Sequence, residues 1–421
     1  MRRRRLLLVK IALRNVRRHA RRSALTAAAM IVGLGLMVMS RALATGAHEG
    51  WVQSAVRLGS GHITIQGKGY QESSRLADRL AAHHAGQVKE ILARPGTAER
   101  VVGLVGRLTV EALAGSATSA VPVNVMGVDA TAEAAFSELI DKLAEGRYLE
   151  AGDRLHAFIG VGLAERLDIG LGRRLILTAQ DGAGDIVGQL VRVVGLFRTG
   201  VQEIDEALVH IPRETAASWL GVGDDLTSVG VLLGSSRDVD PVLQALRDGL
   251  DEPAIEILGW REALPELDAA VRLDDYGDHL FHGILLTIVA LAIVNTILMS
   301  VLYRTREFGV LGALGLTRRE TGLVVFSEGV FLTTISGMIG AAAGLGITWL
   351  LFRNGLDLSF ALDSDLSMSG VLIDPVIVPE FHVDQVIRSI IYVAVIGVLS
   401  SLYPAWYATR IDLAEAVKVE T

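Results

Sequence analysis

The sequence predicts an α-helical membrane protein with four transmembrane helices and an α+β domain inserted after the first of them. Composition points there first. The 421 residues are 51% hydrophobic, with a mean hydropathy of +0.42, yet 21% are charged. That mixture fits membrane spans joined to a water-facing domain. Second, segments 23–40, 279–303, 329–352 and 389–409 lack Asp, Glu, Lys and Arg. Each approaches or reaches the roughly 17–25 residues that a span requires. Third, charge is partitioned along the chain. Residues 1–45 hold eleven Lys and Arg and no acid, whereas 46–277 hold 34 Asp and Glu against 21 Lys and Arg, a net of −13. A basic start and an acidic middle belong on opposite sides of a membrane. There is no cysteine, which excludes disulfides, thiolate metal sites and thiol nucleophiles.

Taken in order, residues 1–22 carry Leu6, Val9, Leu13 and Val16 on one helical face and Lys10, Arg14, Arg17 and Arg21 on another. This predicts a cytoplasmic amphipathic helix lying on the bilayer, basic side toward anionic lipid. The first span follows over 23–46. A cleaved signal peptide ending near Ala42-Leu43-Ala44 is the rival reading. The length of the basic region and the interruption by Arg41 speak against it.

Residues 47–277 form the external, periplasmic domain. The runs "HITIQG", "VPVNVMGV", "RLILTAQ", "QLVRVVGLF", "EALVHIP" and "TSVGVLL" alternate as strands do. Helical patterns lie between them at 72–93, 131–144, 159–168, 213–220 and 238–250, so the mixture is α+β or α/β. "QDGAGD" (180–185) is turn chemistry, which makes 174–197 a hairpin. A helix over 265–283 runs straight into the second span and acts as a stalk.

The remaining spans are 278–303, 321–352 and 388–409, separated by a cytoplasmic segment 304–320 and an external loop 353–387. Arg304, Arg306, Arg318 and Arg319 place 304–320 inside, and the tail 410–421 is inside as well. Asn295 in the second span and Glu328 in the third are costly polar groups that face protein or water. Snorkelling toward the Arg319 end is the plainer account of Glu328. Ser336, Gly337, Gly340 and Gly344 form a small-residue face for close helix packing, within the chain or across a dimer.

"RTREFGVLGALGLTRRE" (304–320) is more decorated than a turn requires. Phe308, Leu311 and Leu314 recur every third residue as an apolar stripe. Gly309, Gly312 and Gly315 run beside it, and Arg304, Arg306 and Glu307 crowd its start. A short helix inserted into a cytoplasmic partner would need these features.

Other motifs fail. In "GHITIQGKG" the spacing from Gly61 to Gly67-Lys68 is five residues rather than four, and Gly69 stands where Ser or Thr would hold magnesium. No ATP site is expected in the chain. His83-His84 shows no carboxylate at ligand spacing and reads as surface helix. "DSDLS" (363–367) lacks the glycine and glutamate of a calcium loop. Neither HExxH nor GxSxG occurs, and nothing points to nucleic acid or to a catalytic centre.

"NTILMSVLYRTREFGVLGALGLTRRE" followed by "SEGVFLTTISGMIGAAAG" resembles the FtsX-type permease domain of ABC transporters. Asn295, Arg304, Arg306, Glu307, Gly309, Ala313, Leu314, Gly315, Glu328 and Gly329 fit its pattern. The closing "YPAWYATRIDLAEAVKVE" is similar too. "GHITIQGKGY", "GRYLEAGDRLHAFIGVGLAERLDIGLGRRLIL" and "GLFRTGVQEIDEALVHIP" resemble the periplasmic core domain of macrolide-exporter and lipoprotein-release permeases. Gly312 replaces a common basic residue of the coupling helix, and Leu413 replaces a frequent proline.

The resemblance implies a type VII ABC permease of the bacterial inner membrane, both termini cytoplasmic. Two copies, or two related permeases, would pair with a cytoplasmic ATPase dimer that binds the ATP and magnesium. Arg304, Arg306, Glu307, Phe308, Gly309, Leu311, Leu314 and Gly315 would couple the ATPase to the spans, and stalks at 47–60 and 265–283 would carry movement outward. The N-terminal stretch "NVRRHARRSALTAAAMIVGLGLMVMSRALATG" is similar to lipoprotein-release permeases and favours extraction of lipoproteins or other lipid-anchored cargo. Alternatives are adaptor-linked export of amphiphiles or peptides, and relay of a signal to a periplasmic hydrolase. The short, proline-free "QDGAGD" turn argues against docking a periplasmic lipoprotein carrier through this hairpin.

Overall fold

The computed structural model describes residues 20–59, 61–117, 119–250, 252–357, 367–368, 371–372 and 376–410. The expected basic helix over 1–22 lies outside them except for residues 20–22. So do "DSDLS" except for Ser367, and the tail beyond Arg410. The chain divides into two compact units. One takes Met1–Ala47, Leu273–Leu356 and Ile377–Thr421, and the other takes His48–Arg272 and Asp357–Val376.

The second unit is built on a ten-stranded mixed sheet. Its strands are β1 (Ile63–Gly67), β2 (Val101–Gly115), β3 (Ala120–Val128), β4 (Leu143–Gly146), β5 (His156–Gly160), β6 (Arg174–Gln180), β7 (Ile186–Phe197), β8 (Leu208–Pro212), β9 (Ser228–Leu233) and β10 (Ile255–Gly259). The six strands anticipated from alternation are all present. The hairpin is also present, with Gln180 opposite Ile186 and a turn closed by Asp181, whose Oδ1 accepts from the Ala183 and Asp185 amides at 2.9 Å. Strands β2, β4, β5 and β10 went unread. The helical pattern at 72–93 is broken into Tyr70–Ser73, a 3₁₀ turn and Ala82–Leu92, because Ser74 turns left-handed at φ 50°. Segment 131–144 likewise splits, into Ala130–Phe136 and a 3₁₀ turn at Glu138–Lys142.

The 15-residue β2 organises the domain. Its first half, Val101–Arg107, pairs with β9, and its second half, Leu108–Gly115, pairs with β3. Each half carries its own core. Val105 packs with Val56, Ile63, Val88, Val231 and Trp260, whereas Leu108, Val110 and Ala112 pack with Val125, Ile159, Leu177 and Val209. At the join, Arg107 is buried. Its Nη2 donates to Glu133 Oε1 at 2.5 Å, another nitrogen donates to the Gly59 carbonyl, and the guanidinium lies 5.0 Å over the Phe136 ring. A buried cation is tolerated when it is paired and hydrogen-bonded in this way.

Among the described residues, four helices are long and apolar enough to cross a membrane. Their elements are Ala20–Leu58, Pro265–Tyr303, Arg318–Phe352 and Val383–Thr409. The first two extend past their apolar stretches, so residues 47–58 and 265–277 are helical, as the stalk reading expects. The small-residue face of the third span packs within the chain. A Cβ on Gly344 would lie 2.7 Å from the Gly35 carbonyl oxygen, and one on Gly340 would lie 3.0 Å from Ile31 backbone. Ser336 and Gly337 are buried beside them, Gly337 facing Leu34 and Val393. This face therefore makes close contacts within the chain.

Candidate functional site

The segment 304–320 folds as a helix, Thr305–Ala313, set off from the second span by Arg304 at φ −104°. Gly315 stops it. At φ 95° this glycine adopts the left-handed conformation. Its amide reaches the Gly312 carbonyl, and the Leu316 amide reaches the Leu311 carbonyl, each at 3.0 Å. That double bond pattern is the Schellman motif, in which glycine avoids the Cβ clash. Gly315 therefore terminates the helix. Thr317 then opens the third span with a capping box, its Oγ1 accepting from the Glu320 amide at 3.3 Å while Glu320 reaches back to the Thr317 amide.

The expected stripe of Phe308, Leu311 and Leu314 is divided. Phe308 is 1% exposed and belongs to a buried cluster with Val301 and Val325, with Leu311 packed against it, while Leu314 is 80% exposed. The reason is periodicity. Steps of three residues fall short of a 3.6-residue turn, so Leu314 lies about 120° around the helix from Phe308. The exposed apolar pair is instead Val310 and Leu314, four apart on one face, with the exposed Arg306 preceding them. Gly309 is buried against the spans, and Gly312 is half-buried.

Arg304 fastens this helix to the membrane unit. It is 5% exposed, donates through Nη1 to Glu328 Oε2 at 2.9 Å and through Nε to Glu307 Oε2 at 3.0 Å, and lies 5.1 Å over the Phe308 ring. Glu328 thus pairs with Arg304, from the neighbouring helix. It is the buried counter-charge of Arg304. Asn295 behaves differently. The buried face of its helix is Val289, Ile293, Ile297 and Val301, and Asn295 points away from that face, exposed.

At the opposite ends of the first two spans lies a cluster that sequence reasoning missed. Arg41 Nη1 meets Asp278 Oδ2 at 3.1 Å, Asp278 Oδ1 lies 3.2 Å from His282 Nδ1, and His282 Nε2 lies 3.1 Å from Ser40 Oγ. Thr45 Oγ1 donates to Gln385 Oε1 at 3.0 Å, which brings in the fourth span. The signal available was the Asp278–His282 spacing of four on a helix that faces a lone intramembrane arginine. One further expectation needs correcting. His84 does have a carboxylate neighbour, because Glu252 comes within 3.3 Å of its Nε2 from a distant part of the chain.

Comparison with known proteins agrees with this architecture. The MacB-like periplasmic core domain matches residues 23–248, and the FtsX-like permease C-terminal domain matches residues 280–413. The lipoprotein-releasing system transmembrane protein LolC of Neisseria meningitidis is 22% identical over 305 residues, covering 71% of this chain and 73% of its own length. The uncharacterized ABC transporter permease YvrN of Bacillus subtilis is 25% identical over 98% of this chain and 99% of its own. The macrolide export ATP-binding/permease protein MacB of Bdellovibrio bacteriovorus is 23% identical over 54% of this chain and 34% of its own. Among solved structures, the extracellular domain of the transporter YknZ from Gram-positive bacteria covers 48% of this chain and all of its own, at 15% identity and a TM-score of 0.34. The chain belongs to the ABC-transporter permeases that join a MacB-like periplasmic core domain to an FtsX-like permease domain.

Proposed function

We propose that this permease docks a cytoplasmic ATPase dimer on its 304–320 segment and uses ATP hydrolysis there to extract lipoproteins or other lipid-anchored cargo from the inner membrane. The observation that carries the coupling half is the helix Thr305–Ala313. It is held from within by Phe308 and the Arg304–Glu328 pair, and it leaves Val310 and Leu314 exposed. An anchored helix with an apolar outer face can pass a push on to the spans. A loose loop would absorb it. ATP and magnesium belong to the partner in this reading, and a second permease copy or a paralogue completes the assembly.

The cargo half is supported by similarity to lipoprotein-releasing transmembrane proteins over 71% of this chain. Reconstitution with the ATPase in proteoliposomes containing a lipoprotein tests it. Lipoprotein appearing in the soluble fraction with ATP and a soluble carrier is the expected result. Retention of all lipoprotein in the membrane, under conditions where ATP is hydrolysed, overturns it. The MacB-like match over 23–248 favours a second reading, adaptor-linked export of amphiphiles. Co-purification of a membrane-fusion adaptor would select that one.

A further inference from the structure

We propose that His83, His84 and Glu252 form a binding site for a divalent transition-metal ion of the zinc type in the core domain. One ligand atom from each of the three lies within 4.8 Å of the other two. The histidines sit in the first turn of the helix Ala82–Leu92, and Glu252 belongs to the segment between the helix Val239–Gly249 and β10.

Three features argue for a cation at their centre. His84 Nδ1 lies 3.1 Å from Gln87 Oε1. An amide oxygen only accepts, so Nδ1 carries the hydrogen and the Nε2 lone pair is turned toward Glu252 Oε2, 3.3 Å away. Two acceptors facing each other repel unless something positive lies between them. Orientation of a metal-binding histidine by a hydrogen bond to its other nitrogen is the usual outer-shell arrangement.

The His84–Glu252 distance of 3.3 Å also fits. Bonds of about 2.0–2.1 Å at tetrahedral angles place neighbouring ligand atoms about 3.3 Å apart. A second proton on His84 would satisfy the Glu252 pair as well, but it would set an imidazolium against the His83 ring, 3.7 Å away centroid to centroid. A metal ion uses both rings, and the proton uses one. The positive end of the helix opposes any cation at this place. Glu252 supplies charge against it, and the Asp225 carboxylate accepts from the Ala82 amide at 3.0 Å.

Two imidazoles and one carboxylate suit zinc, cobalt or nickel better than magnesium or calcium. His83 is exposed, so the ion can reach the site from solution. Bound there, it ties the helix Ala82–Leu92 to the chain leading into β10. This role stands apart from ATPase coupling and from cargo.

The test uses the full chain in detergent, stripped with a chelator and titrated with Zn²⁺ alone against a chromophoric competitor. One equivalent should bind to the wild type. Glu252→Gln and His83→Gln should each weaken it by about tenfold or more. His48→Gln, remote from the three ligands, should leave it unchanged. Zn²⁺ should raise the thermal midpoint of the wild type and not of Glu252→Gln, while the chelated proteins melt together. Equal affinity in all variants, or an absence of tight binding, overturns the site. Loss of binding with Glu252→Gln but not with His83→Gln removes His83 from the ligand set, and overturns the three-residue site too.

Discussion

The Arg304–Glu328 pair makes a quantitative claim about what holds the coupling helix. Both side chains are largely out of solvent, Arg304 at 6% and Glu328 at 13%. Removing one member of a buried pair strands the other charge, at a cost of about 3–5 kcal/mol. Arg304→Met should fall in that range, because Arg304 is the cation paired with Glu328 among the described residues. Glu328→Gln should cost about 1–3 kcal/mol. Arg304 keeps Glu307 at 3.0 Å, and that carboxylate is 43% exposed. The double variant Arg304→Met/Glu328→Gln should cost less than the sum, with a coupling energy of about 1–3 kcal/mol. The assay is reversible unfolding of the full chain in mixed micelles by SDS titration, followed by tryptophan fluorescence. Single-variant costs that add within about 0.5 kcal/mol would show that the two residues do not act on each other.

Leu314→Asp should abolish co-purification with the ATPase while leaving the unfolding midpoint within about 0.5 kcal/mol of wild type, whereas Phe308→Asp should destabilise the chain itself. Gly312→Arg, which restores a charge common among relatives, should preserve or strengthen that co-purification, and its loss would mean a differently built interface. Gly344→Val should cost about 1–3 kcal/mol in the same micelle titration, since its Cβ would press on Gly35 backbone. His62 and His210 are buried, and burial lowers each from 6.5 to about 4. The unfolded chain therefore binds the extra protons. Stability from each is fully present above about pH 6.5 and is lost as pH falls toward 4, by on the order of 1 kcal/mol per histidine at pH 5.5. Denaturant unfolding of the full chain between pH 7 and 5 measures this, and a flat midpoint refutes it.

The chain's architecture was legible because its signals are local. Charge-free runs, strand alternation and the Asp181-centred turn each concern one continuous stretch of chain. β2 was not legible. Its "VVGLVGRLTVEALAG" mixes glycine and alanine with the β-branched residues, which lowers strand propensity, and its two halves belong to different cores. The coupling segment was located by composition, but its orientation was read wrongly. A repeat of three looks like a stripe on paper and drifts around a real helix, so Phe308 went inward and Leu314 outward. The partners of Glu328, Arg41 and His84 were hidden because each lies on a different helix or a distant loop, at separations of 24, 237 and 168 residues.

The contacts within the membrane unit are of two kinds. The third and fourth spans meet closely through small residues. Gly329 faces Ser401, Gly397 faces Thr333, and Gly322 faces Ala405. The first span joins them through Gly35, Gly340 and Gly344. Such backbone contact leaves little room to slide, because any displacement drives main chain into main chain. The second span meets them through branched side chains, Val289 against Gly33 and Ile297 against Gly329. Its polar ties stand near its two ends, Asp278 to Arg41 at one and Arg304 to Glu328 at the other. Charge pairs hold over small rotations about the span and break over large ones. Arg304 stands where the second span passes into the helix Thr305–Ala313, and its bond to Glu328 ties that junction to the third span, which Thr317 opens a few residues later.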